Sequence, residues 1–476
     1  MRFLVRSLAL VSLCWIASPI CTAQPIDTVL LAERAFVHHP FVYSTYASVI
    51  DRNGLPYVYT ANLEYGLRVF DITDVSAPAD VLDFAPPSFG GLKPTNLFQE
   101  SGLLYISLGG FHGVTQNAGL AILDVSDPAN AVILDQWDSA AFTTGSAIVR
   151  VQNGIAYLGA MEEGIIALDV SDPANIGFVG VYQPDPLWPG IVSYPPNARG
   201  MALRDDTLYL AYDAGCLRAI DISDPSAMTE IGHYYNPLQP ANTAIAYNNI
   251  VLVGDHAIIA TDFCGFEVVD IGDAANMQQE AWVNPWNCNG LSWFGSDGHT
   301  NELVTAMGDS LLFLGGADTE LMIYDISALT QPVLVGGVIS PNDSAVTWGV
   351  DVRDSLVVLG YIDNSLVGFP PQPFYADEGG LRIFTWEADM GTGMKEPTVP
   401  PFNATVHGNI ITLSTRSAIT ALVVFNSLGQ TVAAHQVMLS DGARIEVQPA
   451  SRGMYIVQAI TVDGSFAVRV PVMDAR

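Results

Sequence analysis

Lysine is almost absent from this sequence. Only Lys93 and Lys395 occur in 476 residues, and with arginine the bases total 18 against 49 acids, a formal net charge of −31. A surface of that sign repels phosphate backbones and anionic headgroups, which excludes nucleic acid and acidic membranes as partners. The carboxylate excess keeps the chain soluble, and it also suits a saline habitat; charge alone does not choose. Beyond the first two dozen residues no apolar run approaches the ~20 residues that span a bilayer, so no transmembrane segment is expected. Signatures of catalysis are missing as well. There is no Gly-x-Ser-x-Gly, no His-Glu-x-x-His and no phosphate loop, and His112, His256 and His299 are scattered, so the sequence assigns no catalytic residue. Helical periodicity is lacking too, which points to an all-β chain.

What is present is a phrase that returns. Gly66-Leu67-Arg68-Val69-Phe70-Asp71-Ile72-Thr73-Asp74 recurs as residues 119–128 (GLAILDVSDP), 164–173 (GIIALDVSDP), 216–225 (CLRAIDISDP), 265–273 (GFEVVDIGD) and 321–327 (LMIYDIS). An eroded seventh copy, residues 380–386 (GLRIFTW), has Thr385 where the others have aspartate. The aspartates at 71, 124, 169, 221, 270 and 325 set a unit of roughly 45 to 55 residues, the length of a four-stranded propeller blade. Ahead of each phrase lie two alternating apolar runs joined by turn residues, as in residues 147–158, where Asn153-Gly154 marks a tight hairpin. Each unit reads as strand A, tight turn, strand B, connection, strand C carrying the phrase, an Asp-x-Ser-Asp-Pro corner, and strand D.

The run of two aliphatics, any residue, then Asp-Val-Ser-Asp-Pro, cleanest at Leu123 to Pro128 and Leu168 to Pro173, resembles the LVIVD repeat of β-propellers on bacterial and archaeal cell surfaces. The resemblance covers about residues 30–386 and implies a fold and an extracellular location, with no catalytic residues. Seven phrases imply a seven-bladed propeller over residues 24–389, but the seventh lacks a strand D. Residues 28–36 resemble the strands that follow the other corners, so this N-terminal strand is expected to close the last blade and remove exposed sheet edges.

Arg2 and Arg6 before an apolar stretch, then Cys21-Thr22-Ala23, read as a signal peptide over residues 1–23. Without it three cysteines remain. A Cys264 to Cys288 disulfide is the preferred pairing, with Cys216 to Cys264, or no bridge, left open. A Gly- and Pro-rich linker, 390–402, leads to a small Ig-like β-sandwich over 403–476. Asn426-Ser427-Leu428-Gly429-Gln430-Thr431-Val432, followed by Gly453-Met454-Tyr455-Ile456-Val457 and a terminal strand, is similar to the type A sorting domain of the type IX secretion system. That resemblance implies passage across a bacterial outer membrane and a secreted or surface location, with the secretion machinery as a partner. Asn403-Ala404 stands where that family has Asn-Pro, and the last strand is not lysine-rich.

In an antiparallel blade the A to B and C to D turns share one face, and the B to C and D to A connections share the other. The long insertions all fall on the second face. They carry His112, Trp188, Trp286, Trp293, His299 and Tyr375, the candidate ligand-binding residues, with Trp188, Trp293 and Tyr375 as stacking platforms. Each aromatic alone also suits packing of its own loop. The expected role is a binding or adhesion module for an extracellular polysaccharide or envelope protein; the alternative is an extracellular hydrolase or lyase on the same face. No cofactor is implied. The paired aspartates of the corners read as turn caps, which leaves structural calcium open, in the channel or at Asp255 and Asp262, without a predicted metal ligand set.

Overall fold

The computed structural model describes residues 26, 28–38, 44–110, 115–190, 195–239, 246–262, 264–285, 288, 300–316, 320–338, 345–363 and 378–389 of the first region. In the C-terminal region it describes 402–407, 410–415, 419–426, 431–432, 434–439, 442–447, 453–461 and 464–472. Seven four-stranded antiparallel sheets account for the first region. Blade three shows the pattern: strands A to D are Ile148–Gln152, Ile155–Gly159, Ile165–Asp169 and Gly177–Tyr182, paired in that order. Each strand A contacts the strand A of both neighbouring blades, so seven inner strands close a ring around an axis. The region is a seven-bladed β-propeller. In the seventh sheet the outer position is taken by Thr28–His38, paired antiparallel with Gly380–Asp389.

The repeated phrase explains itself locally. Its glycine opens strand C at positive φ in Gly66, Gly164 and Gly265, and a Cβ there would overlap the carbonyl oxygen of Phe84, Tyr182 or Val283 on strand D. The middle of the phrase is buried between blades, as in Ile165, Ile166, Ala167 and Leu168, each at 0 % exposure. The aspartate at its end accepts a backbone N–H two residues on, six times over: Thr73, Ser126, Ser171, Ser223, Gly272 and Ser327 donate at 2.8 to 2.9 Å. The residue after that aspartate then donates to the A to B turn of the same blade. Val170 bonds the Gly154 oxygen and Ile222 the Asp206 oxygen, so the end of the phrase is tied to turn residues sixteen positions upstream. Those turns take positive φ at Asn153, Gly154, Asp205 and Gly254.

The C-terminal region forms two antiparallel sheets, one of four strands (Phe402–His407, Ile410–Thr415, Gly442–Val447, Ala434–Leu439) and one of three (Ile419–Asn426, Gly453–Thr461, Gly464–Val472). Ile411, Leu413, Leu422, Val424, Val457 and Val470 share one apolar cluster. Phe425 and Ile456 join instead the cluster of blades five and six with Leu334, and Gln458 Nε2 donates to the Gly337 oxygen at 2.8 Å.

Candidate functional site: the axial mouth on the long-loop face

Strand A of every blade starts at the face that carries the long connections. A small hollow, partly open to solvent and with room for little more than a water or two, sits there on the axis. All seven blades contribute to its wall at or next to the start of strand A: Tyr46 from the first, Thr95 and Asn96 from the second, Ala147 from the third, Arg199 from the fourth, Asn248 and Asn249 from the fifth, Asn301 and Glu302 from the sixth, and Trp348 from the seventh. The lining is rich in amides and has an aromatic side. Most of these side chains are buried in the ring, with Asn248 at 2 % exposure and Arg199 at 7 %.

Partners cross from blade to blade. Arg199 Nη2 donates to Asn301 Oδ1 at 3.1 Å, and Asn301 Nδ2 donates to the Trp348 oxygen at 2.9 Å. The Arg199 guanidinium lies 5.8 Å from the Trp348 ring, and the Tyr46 ring packs on the same indole at 5.5 Å between centroids. Asn249 Nδ2 donates to Glu302, and Asn248 Nδ2 donates to Asp262 and, at 2.6 Å, to the Thr300 oxygen. Asn248 Oδ1, buried, has no hydrogen-bond partner among the described residues.

Burial raises the carboxyl of Glu302 to about 7; the Arg150 guanidinium across the ring and the bonds from Leu303 and Asn249 pull the other way, and Asp351 adds to the rise. Glu302 is half-buried and belongs to the cavity lining. At the edge of the same face Asp213 is pushed up to about 6 by burial, against Arg199 and the Asn197 amide, which donates to it at 2.9 Å. Further along the axis Arg52 pairs with the buried Asp351 at 2.6 Å. Glu267 is buried too, but Tyr234, Tyr247 and Gln239 all donate to it at 2.7 to 3.1 Å, which makes it a tie between strands.

Among the stacking candidates Trp188 lies within the described residues, and it is engaged by its own surroundings. The Arg218 guanidinium sits 4.6 Å from its ring, the His233 ring 4.0 Å away, and Arg218 Nη2 donates to the Trp188 oxygen at 3.2 Å. Arg218, 1 % exposed, also pairs with Glu230 at 3.0 Å, so this loop is folded onto blade four. His112, Trp286, Trp293, His299 and Tyr375 lie outside the described residues. Cys264 and Cys288 form a disulfide, Cα atoms 4.5 Å apart, while Cys216 is a buried free thiol whose titration is pushed well up by burial. No group of three or more His, Cys, Asp or Glu side chains gathers as a metal set among the described residues.

The axial residues escaped sequence reasoning because they lie at the head of strand A, outside the repeated phrase. A signal was there: Asn248-Asn249 and Asn301-Glu302 are polar pairs at the head of strands whose remaining residues are largely apolar.

No curated protein matches this chain. Among solved structures it is similar to the β-propeller domain of Cps50 (Swd1) from Myceliophteria thermophila, at 12% identity, TM-score 0.49, covering 75% of this chain and 99% of that one. The WD40 β-propeller domain of Doa1 matches at 10% identity and TM-score 0.48, covering 75% and 97%. The computationally designed Ika8 protein matches at 11% identity and TM-score 0.44, covering 74% and 99%. Nothing about function follows from these likenesses. The LVIVD repeat matches residues 108–138, 146–183, 196–236 and 312–339, which fall in blades two, three, four and six. The chain therefore carries LVIVD repeats within a seven-bladed β-propeller.

Proposed function

We propose that this protein is an extracellular recognition module that takes an extracellular polysaccharide or envelope protein on the long-loop face of its propeller. The observation that carries the reading is the axial mouth: a polar, amide-rich hollow to which all seven blades contribute on the long-loop face. A β-propeller with LVIVD repeats fits a binding module, and rigid scaffolds with variable loops on one face serve recognition in general.

Export belongs to the same reading. Residues 1–23 act as a signal peptide, and 403–476 as an Ig-like sandwich that addresses the chain to the type IX machinery and the outer-membrane surface. The two-sheet arrangement of the C-terminal strands is consistent with that class. The pairing of Thr28–His38 with Gly380–Asp389 supports closure of the ring by its N-terminal strand.

The reading is tested by pull-down of extracellular polysaccharide and envelope-protein fractions on the purified chain, beside a Trp188→Ala, Trp293→Ala, Tyr375→Ala variant checked for folding by its melting curve. Specific retention that the variant loses supports the reading; no retention by either sinks it. A second reading, an extracellular hydrolase or lyase, is favoured by the raised carboxyls of Asp213 and Glu302, since a general acid needs a proton near neutral pH. Turnover screens with bond-cleavage readout on the same fractions decide between them.

A further inference from the structure

We propose that the outer rim between blades two and three docks an extended, arginine- or lysine-bearing segment of another protein. The surface is built from the outermost strands of the two sheets, Val132–Ser139 and Gly177–Tyr182, and does not depend on the axial mouth.

The surface begins in the strand register. Phe178 pairs with Leu168 and, across a bulge, Val181 pairs with Ile166, so both side chains leave the sheet on the side that Ile166 and Leu168 turn to blade two. Phe178 is 53 % exposed there. At the same register the other sheets with a repeat aspartate carry Asp80, Ile133, Glu230, Gln279 and Leu334, so the blade itself does not call for an aromatic. Phe178 meets Trp137 at 6.4 Å and Phe142 at 6.3 Å between centroids, 17° and 24° from parallel. Three rings of nearly one orientation make an extended π surface, whose negative faces attract cations.

Charge names the occupant. Between residues 94 and 190 the only lysine or arginine is Arg150, on the inner strand Ile148–Gln152. Carboxylates surround the three rings instead. Asp135 accepts the Ile176 N–H at 2.7 Å, the exposed Asp138 accepts the Asn117 amide at 2.8 Å, and Glu163 accepts the Thr143 N–H at 2.8 Å. Elsewhere the chain lays its own arginines on aromatic rings, over Phe36 at 4.5 Å and over Trp188 at 4.6 Å; among the described residues no guanidinium covers this trio. A visiting guanidinium or ammonium supplies what the sector lacks. The backbone makes the visitor a peptide. Each of the two strands is the last of its sheet, with one row of N–H and C=O groups unpaired among the described residues, the template on which an extended segment adds.

The test is fluorescence anisotropy on the full chain with three labelled probes: an octapeptide alternating arginine and valine, its counterpart alternating glutamate and valine, and a glucosamine hexamer, a cation without a peptide backbone. Phe178→Ala and Phe178→Leu are run beside the parent. Val333→Ala, at an exposed outer-strand valine of blade six, controls for general attraction to an acidic surface. Every variant is checked by its melting curve, and Phe178→Leu keeps an apolar contact with Trp137 should the alanine variant fail to fold. The arginine peptide is expected to bind, about fivefold more weakly in the Phe178 variants and unchanged in Val333→Ala, while the glutamate peptide does not bind. Equal binding of the arginine peptide to parent and Phe178 variants overturns the proposal, as does failure of that peptide to bind at all or equal affinity for the glutamate peptide. Tighter binding of the glucosamine hexamer, lost in the Phe178 variants, overturns it in favour of a cationic polysaccharide. Self-association of the parent by sedimentation velocity, abolished in Phe178→Ala, overturns it in favour of a second copy of this chain. None of these outcomes touches the reading of the long-loop face, which the pull-down decides.

Discussion

The outer corners and the axial ring of this propeller use the same side chain, a carboxylate, in opposite ways. At the corners it recurs in six blades, exposed at Asp169, half-buried at most others and buried at Asp325, and it accepts the N–H two residues ahead; bonds from Ser126 and Ser171 hold Asp124 and Asp169 below the ordinary carboxylate range. Around the axis and at the edge of its mouth the carboxylates are enclosed, and burial drives Glu302, Asp213 and Asp351 upward. In a repeat protein, recurrence marks what the scaffold needs in every unit, and departure from recurrence marks what only one place needs. The structural reading of the corner aspartates and the functional reading of the mouth are thus two sides of one contrast.

The heaviest blow to the scaffold is expected from removal of the strand paired with Gly380–Asp389. Deleting residues 28–36 strips the outer strand from the seventh sheet and leaves Gly380–Asp389 with an unpaired edge. The expected outcome is loss of the single cooperative thermal transition by calorimetry, and a transition of unchanged sharpness would refute it. Next comes the phrase glycine. Gly265→Ala places a Cβ against the Val283 carbonyl at a φ of +74°, a cost of about 3 kcal/mol by denaturant unfolding. Gly54→Ala is its control: φ is +83°, but a Cβ there meets nothing within 4 Å, so only the backbone strain remains, about 1 kcal/mol. Equal costs for the two would mean that the close approach to strand D does not govern the phrase.

Most of the scaffold was legible in the sequence because it is local. The aspartate cap spans two residues, the A to B turn is signalled by Asn153-Gly154 or Asp205-Asp206, and the buried run of the phrase needs no distant partner to be recognised. The mouth was illegible because it is assembled from far apart: Arg199 and Asn301 are 102 residues distant in sequence, and Asn248 meets Thr300 across 52. The surroundings of Trp188 were illegible for a related reason. Its partner Arg218 is the phrase arginine of blade four, and nothing in the phrase says that this guanidinium points back under a loop thirty residues earlier.

The axial side of the contrast is sharpened by pH. A carboxyl raised in the folded state holds its proton there while the unfolded chain has lost it. The stability it contributes is therefore complete below the unfolded value, about 4.3, and is lost as pH rises through the folded value. For Glu302 that window ends at about 7. Arg150, Asp351 and Asn249 are the groups facing it, and Asp213, raised to about 6, adds a slope of the same sign over a narrower window. Glu302→Gln is expected to flatten the fall in unfolding free energy between pH 5 and 7 by at most about 1.4 kcal/mol per pH unit, one proton's worth, leaving the Asp213 part below 6. Parallel pH profiles for variant and parent would show that Glu302 is not enclosed as described.

The corner side gives the smallest effect and the opposite sign. Asp169 is held below the ordinary range first by the Ser171 side chain and then by its N–H, so its contribution is present above the unfolded value of about 3.9 and is lost as pH falls. Asp169→Ala removes the acceptor and lowers the melting temperature slightly at pH 7, less than any change above, because the side chain is exposed and water takes over part of its role. Asp169→Asn keeps an acceptor oxygen at the same place and is expected to lower it less still. Near pH 3 the gap between Asp169→Ala and the parent narrows as the parent's carboxylate protonates. Adding Asp124→Ala should double the loss, since the two corners belong to different blades and share no partner. A gap that instead widened towards acid would place these aspartates with the buried carboxylates of the axis and dissolve the distinction between scaffold and site.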